Sequence, residues 1–118
     1  MNDFVTLNRN GDFRRLYARG KVVTTPALVV YYSRNRAGVC RIGITASKKT
    51  GNAVERNRAR RVIREGVRAV IPLVSRSCDF VFVARGKTKY VKSTDIRKIA
   101  FSVLKREGLI SDDEKLPD

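Results

Sequence analysis

The chain has 118 residues, with 26 lysines and arginines against 11 acids, a formal net charge of +15 and no histidine; it is one domain's length, with a charge balance suited to a polyanion, of which nucleic acid is the commonest. The missing histidine removes the commonest general base, the histidine-dependent nucleophiles and most transition-metal sites, and the scattered carboxylates form no paired-acid motif. With 42% apolar residues and clear periodicity the chain is expected to fold, and no segment is apolar and long enough to span a membrane.

The opening "MNDFVTLNRNGDF" lacks the apolar core of a signal peptide, so a soluble cytoplasmic protein is expected. "NGDFRRLYARG" reads as a short helix capped by Asn10, with Asp12 at its positive end, Gly20 at its stop, and Phe13, Leu16 and Tyr17 on one face. "KVVTT" (21–25) is a short candidate strand, "ALVVYYS" (27–33) is rich in strand formers, and the "RNRAG" after it reads as a hairpin loop. "VCRIGITAS" (39–47) alternates, with Cys40, Ile42, Ile44 and Ala46 on one side and Val39, Arg41, Gly43 and Thr45 on the other. A helix follows from about Ala53 to Ile71, where Pro72 stops it. "CDFVFVAR" (78–85) is a strand apolar enough to be central. "STDIRKIAFSVLKREG" is a last helix, capped by Ser93 or Thr94, with Ile96, Ile99, Ala100, Val103 and Leu104 facing inward and Gly108 past its end. Cys40 and Cys78 sit in apolar runs as small core residues, and two isolated cysteines cannot build a zinc site. The order is α-β-β-β-α-β-α, an α+β sandwich of one sheet with helices mainly on one face. Residues 107–118 hold five of the eleven acids and one base, so a basic domain over 1–107 and an acidic, frayed tail over 108–118 are expected.

Five arginines fall within the nine positions from Arg56 to Arg64. On a helical wheel Ala59, Val62, Ile63, Gly66, Val67 and Val70 form the buried side. Asn57, Arg60, Arg61, Arg64 and Arg68 gather beside it in a band about 100° wide. Arg56 lies at the seam, and Arg58 and Glu65 point elsewhere. A solvated helix face would mix its signs. This band is nearly all positive, and each like-charged i,i+4 pair costs the isolated helix a few tenths of a kcal/mol. Phosphate resolves that repulsion, and arginine's planar fork suits it. "SKKTGNAV" adds Lys48, Lys49 and the free N–H groups of a helix start, an anion site without the spacing of a nucleotide-hydrolysing loop. Phe13, Tyr17 and either Tyr31 or Tyr32 are core residues or a stacking surface for single-stranded RNA. Strand alternation sends the two tyrosines to opposite faces.

The stretch "RIGITASKKTGNAVERNRARRVIREGVR" closely resembles the signature of the bacterial ribonuclease P protein component, with "DFRRLYARG" upstream and "DFVFVAR" downstream extending the resemblance over about residues 7–107. The resemblance implies a sandwich with a left-handed βαβ crossover, as in the second domain of a small-subunit ribosomal protein. It implies the protein subunit of an endoribonuclease that removes the 5′ leader of precursor tRNA. The active site lies in the catalytic RNA, which also holds most of the Mg2+, and this chain supplies no catalytic or metal-binding residue. The partners implied are that RNA and precursor tRNA, with no small-molecule substrate and no membrane. Transferred by motif and wheel, the contacts to the catalytic RNA are Lys48, Lys49, Arg56, Asn57, Arg58, Arg60, Arg61, Arg64 and Arg68. The leader cleft is Phe13, Tyr17 and Tyr31, the tyrosine that follows the family's strand pattern. The chain departs from many relatives in carrying only Arg9 as a base before the first helix, and in its acidic tail. Two rivals predict different behaviour. A structural RNA binder such as a ribosomal protein would take no part in cleavage, and a protein-only nuclease would need metal on acids such as Asp79 or Asp95.

Overall fold

The structure, a computed structural model, describes residues 5–118, so the first four residues of the N-terminal segment lie outside it. In chain order the elements are β1 (Val5–Thr6), α1 (Asn10–Arg19), β2 (Lys21–Thr24), β3 (Leu28–Arg34), β4 (Arg41–Thr45), α2 (Ala53–Arg68), β5 (Cys78–Ala84) and α3 (Ser93–Arg106), with short 3-10 helices at Ile71–Leu73 and Gly86–Tyr90. The five strands form one sheet in the order β1-β4-β5-β3-β2.

β5 is central because its near-continuous apolar run is buried on both faces. Phe80 and Phe82 join Leu28, Val30, Tyr32 and Ile42 under α2 and α3. Val81 points the other way, onto Leu16 of α1 and Leu7. Two helices therefore cover one face and one covers the other. β4 and β5 run parallel and are joined through α2, the expected βαβ crossover.

The hairpin reading of "RNRAG" is corrected: β3 and β4 are not neighbours. β5 lies between them, antiparallel to β3 from Leu28↔Ala84 to Arg34↔Cys78 and parallel to β4. A strand with two apolar faces is best buried between two partners, so β5 takes the place beside β3. The connecting loop passes the start of β5, where the Asn35 N–H donates to the Ser77 carbonyl at 3.0 Å.

Two caps also differ from expectation. Asn10 is the first helical residue, and Arg9 precedes it without a side-chain cap. α3 starts at Ser93 itself, and the carboxylate of Asp95 accepts from the Lys92 N–H at 2.9 Å. α2 by contrast has a complete capping box: Asn52 accepts from the Glu55 N–H and Glu55 from the Asn52 N–H, each at 2.9 Å. It ends at Arg68 rather than Ile71. Pro72 sits in the following 3-10 helix, near whose start its missing N–H is not needed.

The expected frayed tail is corrected as well. Leu109 and Ile110 are buried, the Ser75 N–H donates to the Leu109 carbonyl at 2.9 Å, and Ile110 bridges to Val74. Burying two such side chains, at about 1.5–3 kcal/mol each, offsets the cost of ordering them. Beyond Ile110 the chain is mostly exposed.

Candidate nucleic-acid interface

α2 starts from a turn that presents Lys48 and Lys49 to solvent, closed by the Thr50 N–H to the Ser47 carbonyl at 2.9 Å. Gly51 completes the turn with φ +149°, and a Cβ there would strike the carboxylate of Glu55. The free N–H groups expected at this helix start are partly taken, since Glu55 caps Asn52 and also pairs with Lys89 at 3.1 Å. The Asn52 N–H, and then Lys89, hold the Glu55 carboxyl below its ordinary pKa.

The band on α2 divides in two. Arg56 donates to the Gly51 carbonyl at 3.2 Å, and Arg60 to the Asn57 side chain at 2.5 Å. Arg68 lies 3.5 Å from Glu65. Arg58, off the band on the wheel, reaches the Lys89 and Val91 carbonyls at 3.2 and 3.4 Å and so fastens the 3-10 helix Gly86–Tyr90 to α2. Each guanidinium carries five N–H donors, so those bonded to a carbonyl keep others for phosphate. Arg61 and Arg64 are exposed and have no ion-pair partner among the described residues.

The aromatic residues meet on the opposite face of the sheet. Gly43 on β4 leaves room for the ring of Phe13, whose Cε1 and Cζ would lie 2.6 Å from a Cβ at that position. Phe13 and Tyr17 have ring centroids 6.5 Å apart, and Tyr17 meets Tyr31 edge-on at 4.9 Å. Leu16 is fully buried beneath them, while Tyr17 stays 44% exposed. Tyr32 is buried on the other face, against Phe80. Phe13, Tyr17 and Tyr31 thus form one aromatic cluster, with a partly exposed tyrosine ring on which a base can stack.

One functional support escaped the sequence reading. Asp79, a buried carboxylate in β5, accepts a bidentate pair from Arg41 at 2.7 and 2.7 Å, a bond from Asn35 at 2.7 Å and one from Arg15 at 3.0 Å. These bonds tie α1, β4, β5 and the β3–β4 loop together, and so hold the helix that carries Phe13 and Tyr17 against the sheet. Burial pushes the Asp79 carboxyl up, but the bonds from Arg41 and Asn35 and the charges of Arg41 and Arg15 outweigh it, leaving the pKa below its ordinary value. Its partners lie 38, 44 and 64 residues away in the chain. The one available signal was an acid inside an apolar strand, which needs a cation beside it.

The same bonds occupy Asp79, one of the two acids that a protein-only nuclease would have used; the other, Asp95, accepts from the Lys92 N–H. Among the described residues no group of three or more His, Cys, Asp or Glu side chains could hold a metal ion. Cys78 is a buried core residue, whereas Cys40 is only half-buried against the core, a correction to the expectation for both. Burial, and then the neighbouring Cys40, push the Cys78 thiol up to about 11, and burial also raises Cys40.

Comparison with known proteins agrees with this geometry. The family model for ribonuclease P matches residues 1–108. The ribonuclease P protein component of Clostridium novyi is 40% identical over 105 residues, covering 87% of this chain and 93% of the relative. That of Clostridioides difficile is 39% identical over 104 residues, covering 87% and 91%. Among solved structures, the RNase P protein of Staphylococcus aureus superposes with a TM-score of 0.77 at 33% identity, covering 90% of this chain and 97% of that one. The protein from Thermotoga maritima gives 0.74 at 28% identity, covering 86% and 96%. A family match spanning nearly the whole folded domain, on a sheet with an arginine helix on one face and an aromatic cluster on the other, leaves one conclusion: the chain belongs to the ribonuclease P protein family.

Proposed function

We propose that the chain works as the gripping subunit of a ribonuclease P, with α2 and its preceding turn on the catalytic RNA and the aromatic cleft on the 5′ leader of precursor tRNA. Arg61, Arg64, Lys48 and Lys49 meet phosphates directly. Arg56, Asn57, Arg58, Arg60 and Arg68 do so from positions already set by protein contacts. Phe13, Tyr17 and Tyr31 stack the leader's bases. The chemistry belongs to the RNA, which also holds the magnesium ions, and the work is done in the cytoplasm. No helix among the described residues is long and apolar enough to cross a membrane.

One observation carries this reading. Each acid from Asp12 to Asp95 already has a partner: Asp12 and Asp79 pair with Arg15, Glu55 with Lys89, Glu65 with Arg68, and Asp95 with the Lys92 N–H. The positive field at Arg61 and Arg64 is left for an outside anion. It lowers the repulsion between two RNAs and holds them in register, an electrostatic and positional contribution rather than a chemical step.

Cleavage of precursor tRNA at low magnesium, with bacterial ribonuclease P RNA and with or without the protein, tests the reading. Cleavage is expected only when both are present. Replacing Arg61 and Arg64 by Ala should reduce the salt dependence of assembly by about 2 in log–log slope, one for each lost phosphate contact, with the thermal midpoint unchanged. Tight RNA binding without stimulation would make the chain a structural binder, and cutting by the protein alone would refute the assignment of chemistry to RNA.

A further inference from the structure

β3 ends at Arg34, which pairs with Cys78 at the start of β5. This is the end of the sheet away from the start of α2. A cavity of about 600 Å³ opens there, lined by Arg19, Lys21, Arg34, Arg76, Tyr32 and Glu107 with three neighbours, within the roughly 300–1,000 Å³ typical of ligand sites. Its cations come from four places: the end of α1, the start of β2, the end of β3 and the approach to β5. None of the four has an ion-pair partner among the described residues.

The single carboxylate on the wall is Glu107, and one of its oxygens accepts from the Tyr32 hydroxyl at 2.5 Å. Burial, and then the bond to Glu107, raise the Tyr32 phenol well above its ordinary pKa, so it stays a donor. The second carboxylate oxygen can accept from a ligand. This lining is selective. A bare phosphate would be drawn by four cations and repelled by Glu107, whereas a nucleotide brings phosphate to the cations and hydroxyl or amine donors to the carboxylate. A purely incidental basic surface has no reason to combine concavity with such an acceptor.

We propose that this cavity is a ribonucleotide site, separate from α2 and from the aromatic cleft, in which Arg19, Lys21, Arg34 and Arg76 hold a phosphate and Glu107 receives a sugar hydroxyl or base amine. The nucleotide is either free or one link of an RNA chain, since both present the same groups. The inference goes beyond the roles given to α2 and the cleft and does not depend on them.

Amide NMR spectra of the full chain, titrated with uridine 5′-monophosphate, a single-stranded RNA hexamer and inorganic phosphate, test it. The amides of Ser33, Arg34 and Gly108 should shift saturably with a nucleotide ligand and much more weakly with phosphate. Saturation by the hexamer alone identifies an RNA chain as the source, and equal saturation by the monophosphate identifies a free nucleotide. Arg34→Ala with Arg76→Ala, both exposed positions, should weaken binding by roughly tenfold or more, as expected for lost charge-assisted hydrogen bonds. Glu107→Gln keeps an acceptor for Tyr32 and should remove the preference for nucleotide over phosphate. Silent amides, shifts unchanged in the double variant, or phosphate bound as tightly as nucleotide would each overturn the proposal. The amides of Arg61 and Arg64 separate the two readings, because their response to the hexamer reports on α2 alone.

Discussion

Asp79 is a charge in the middle of the central strand, and its side chain is 1% exposed. Four donors make that position tenable, and removing the charge removes the reason for all of them. Asp79→Asn should lower stability by about 1.5–3 kcal/mol, the range for hydrogen bonds to charged groups; the partial exposure of Arg15 and Arg41 keeps the loss below that of a fully buried pair. The pH dependence has a definite sign. The folded carboxyl titrates below its ordinary value, so the unfolded chain takes up the proton first. The stabilisation is complete above the unfolded pKa of about 3.9 and is lost as pH falls through the folded pKa. Urea midpoints of wild type and Asp79→Asn should therefore differ fully above about pH 4 and converge only as pH falls from there through the lower folded pKa. A gap of constant size would show that Asp79 acts through packing alone. The exposed arginines were readable at the same scale, because Arg61 and Arg64 owe their place to spacing along one helix. The partners of Asp79 come from distant segments, and no local pattern encodes them.

α2 and α3 approach each other closely at Gly66, where a Cβ would lie 2.6 Å from Ile96 Cγ2 and 2.9 Å from the Ser93 carbonyl oxygen. The isoleucine can turn, but the carbonyl belongs to the first residue of α3 and cannot. Overpacking of about 1–3 kcal/mol outweighs the helix propensity of up to about 1 kcal/mol that alanine adds, so Gly66→Ala should lower the thermal midpoint. Gly11→Ala is the control, since nothing lies within 4 Å of a Cβ there, and it should hold or raise the midpoint. A rise for both would mean that the helices separate freely. Elements were legible where periodicity ran long enough. The buried stripe from Ala59 to Val70 and the inner face of α3 match the structure, with Ile99 only partly buried. β1 has two residues, too few to show a period. The caps read at Asn10 and at Ser93 or Thr94 were misplaced by one or two residues because several neighbouring polar side chains compete for each helix start. Strand order was illegible for another reason: β3 and β4 are adjacent in sequence, and the strand that separates them arrives only after α2.

The whole molecule ends later than its charge pattern suggests. Deleting residues 112–118 should leave stability unchanged, whereas deleting 108–118 strips Leu109 and Ile110 from the core and should cost about 3 kcal/mol or more. Chemical denaturation of the two truncations distinguishes a docked segment from a loose one. Topology also gives the chain an order in time. β5 is the last strand in sequence and bonds β3 on one side and β4 on the other. Without it, β1–β4 and β2–β3 are two ribbons with no ladder between them. A ribosome that has not yet released Cys78–Ala84 therefore holds a long basic nascent chain, arginine helix included, with no sheet on which to display it. Folding must come late in synthesis and in one step. Until translation passes β5, the chain can attract RNA only as a loose polycation, and discrimination among RNAs begins when the last strand slides into place.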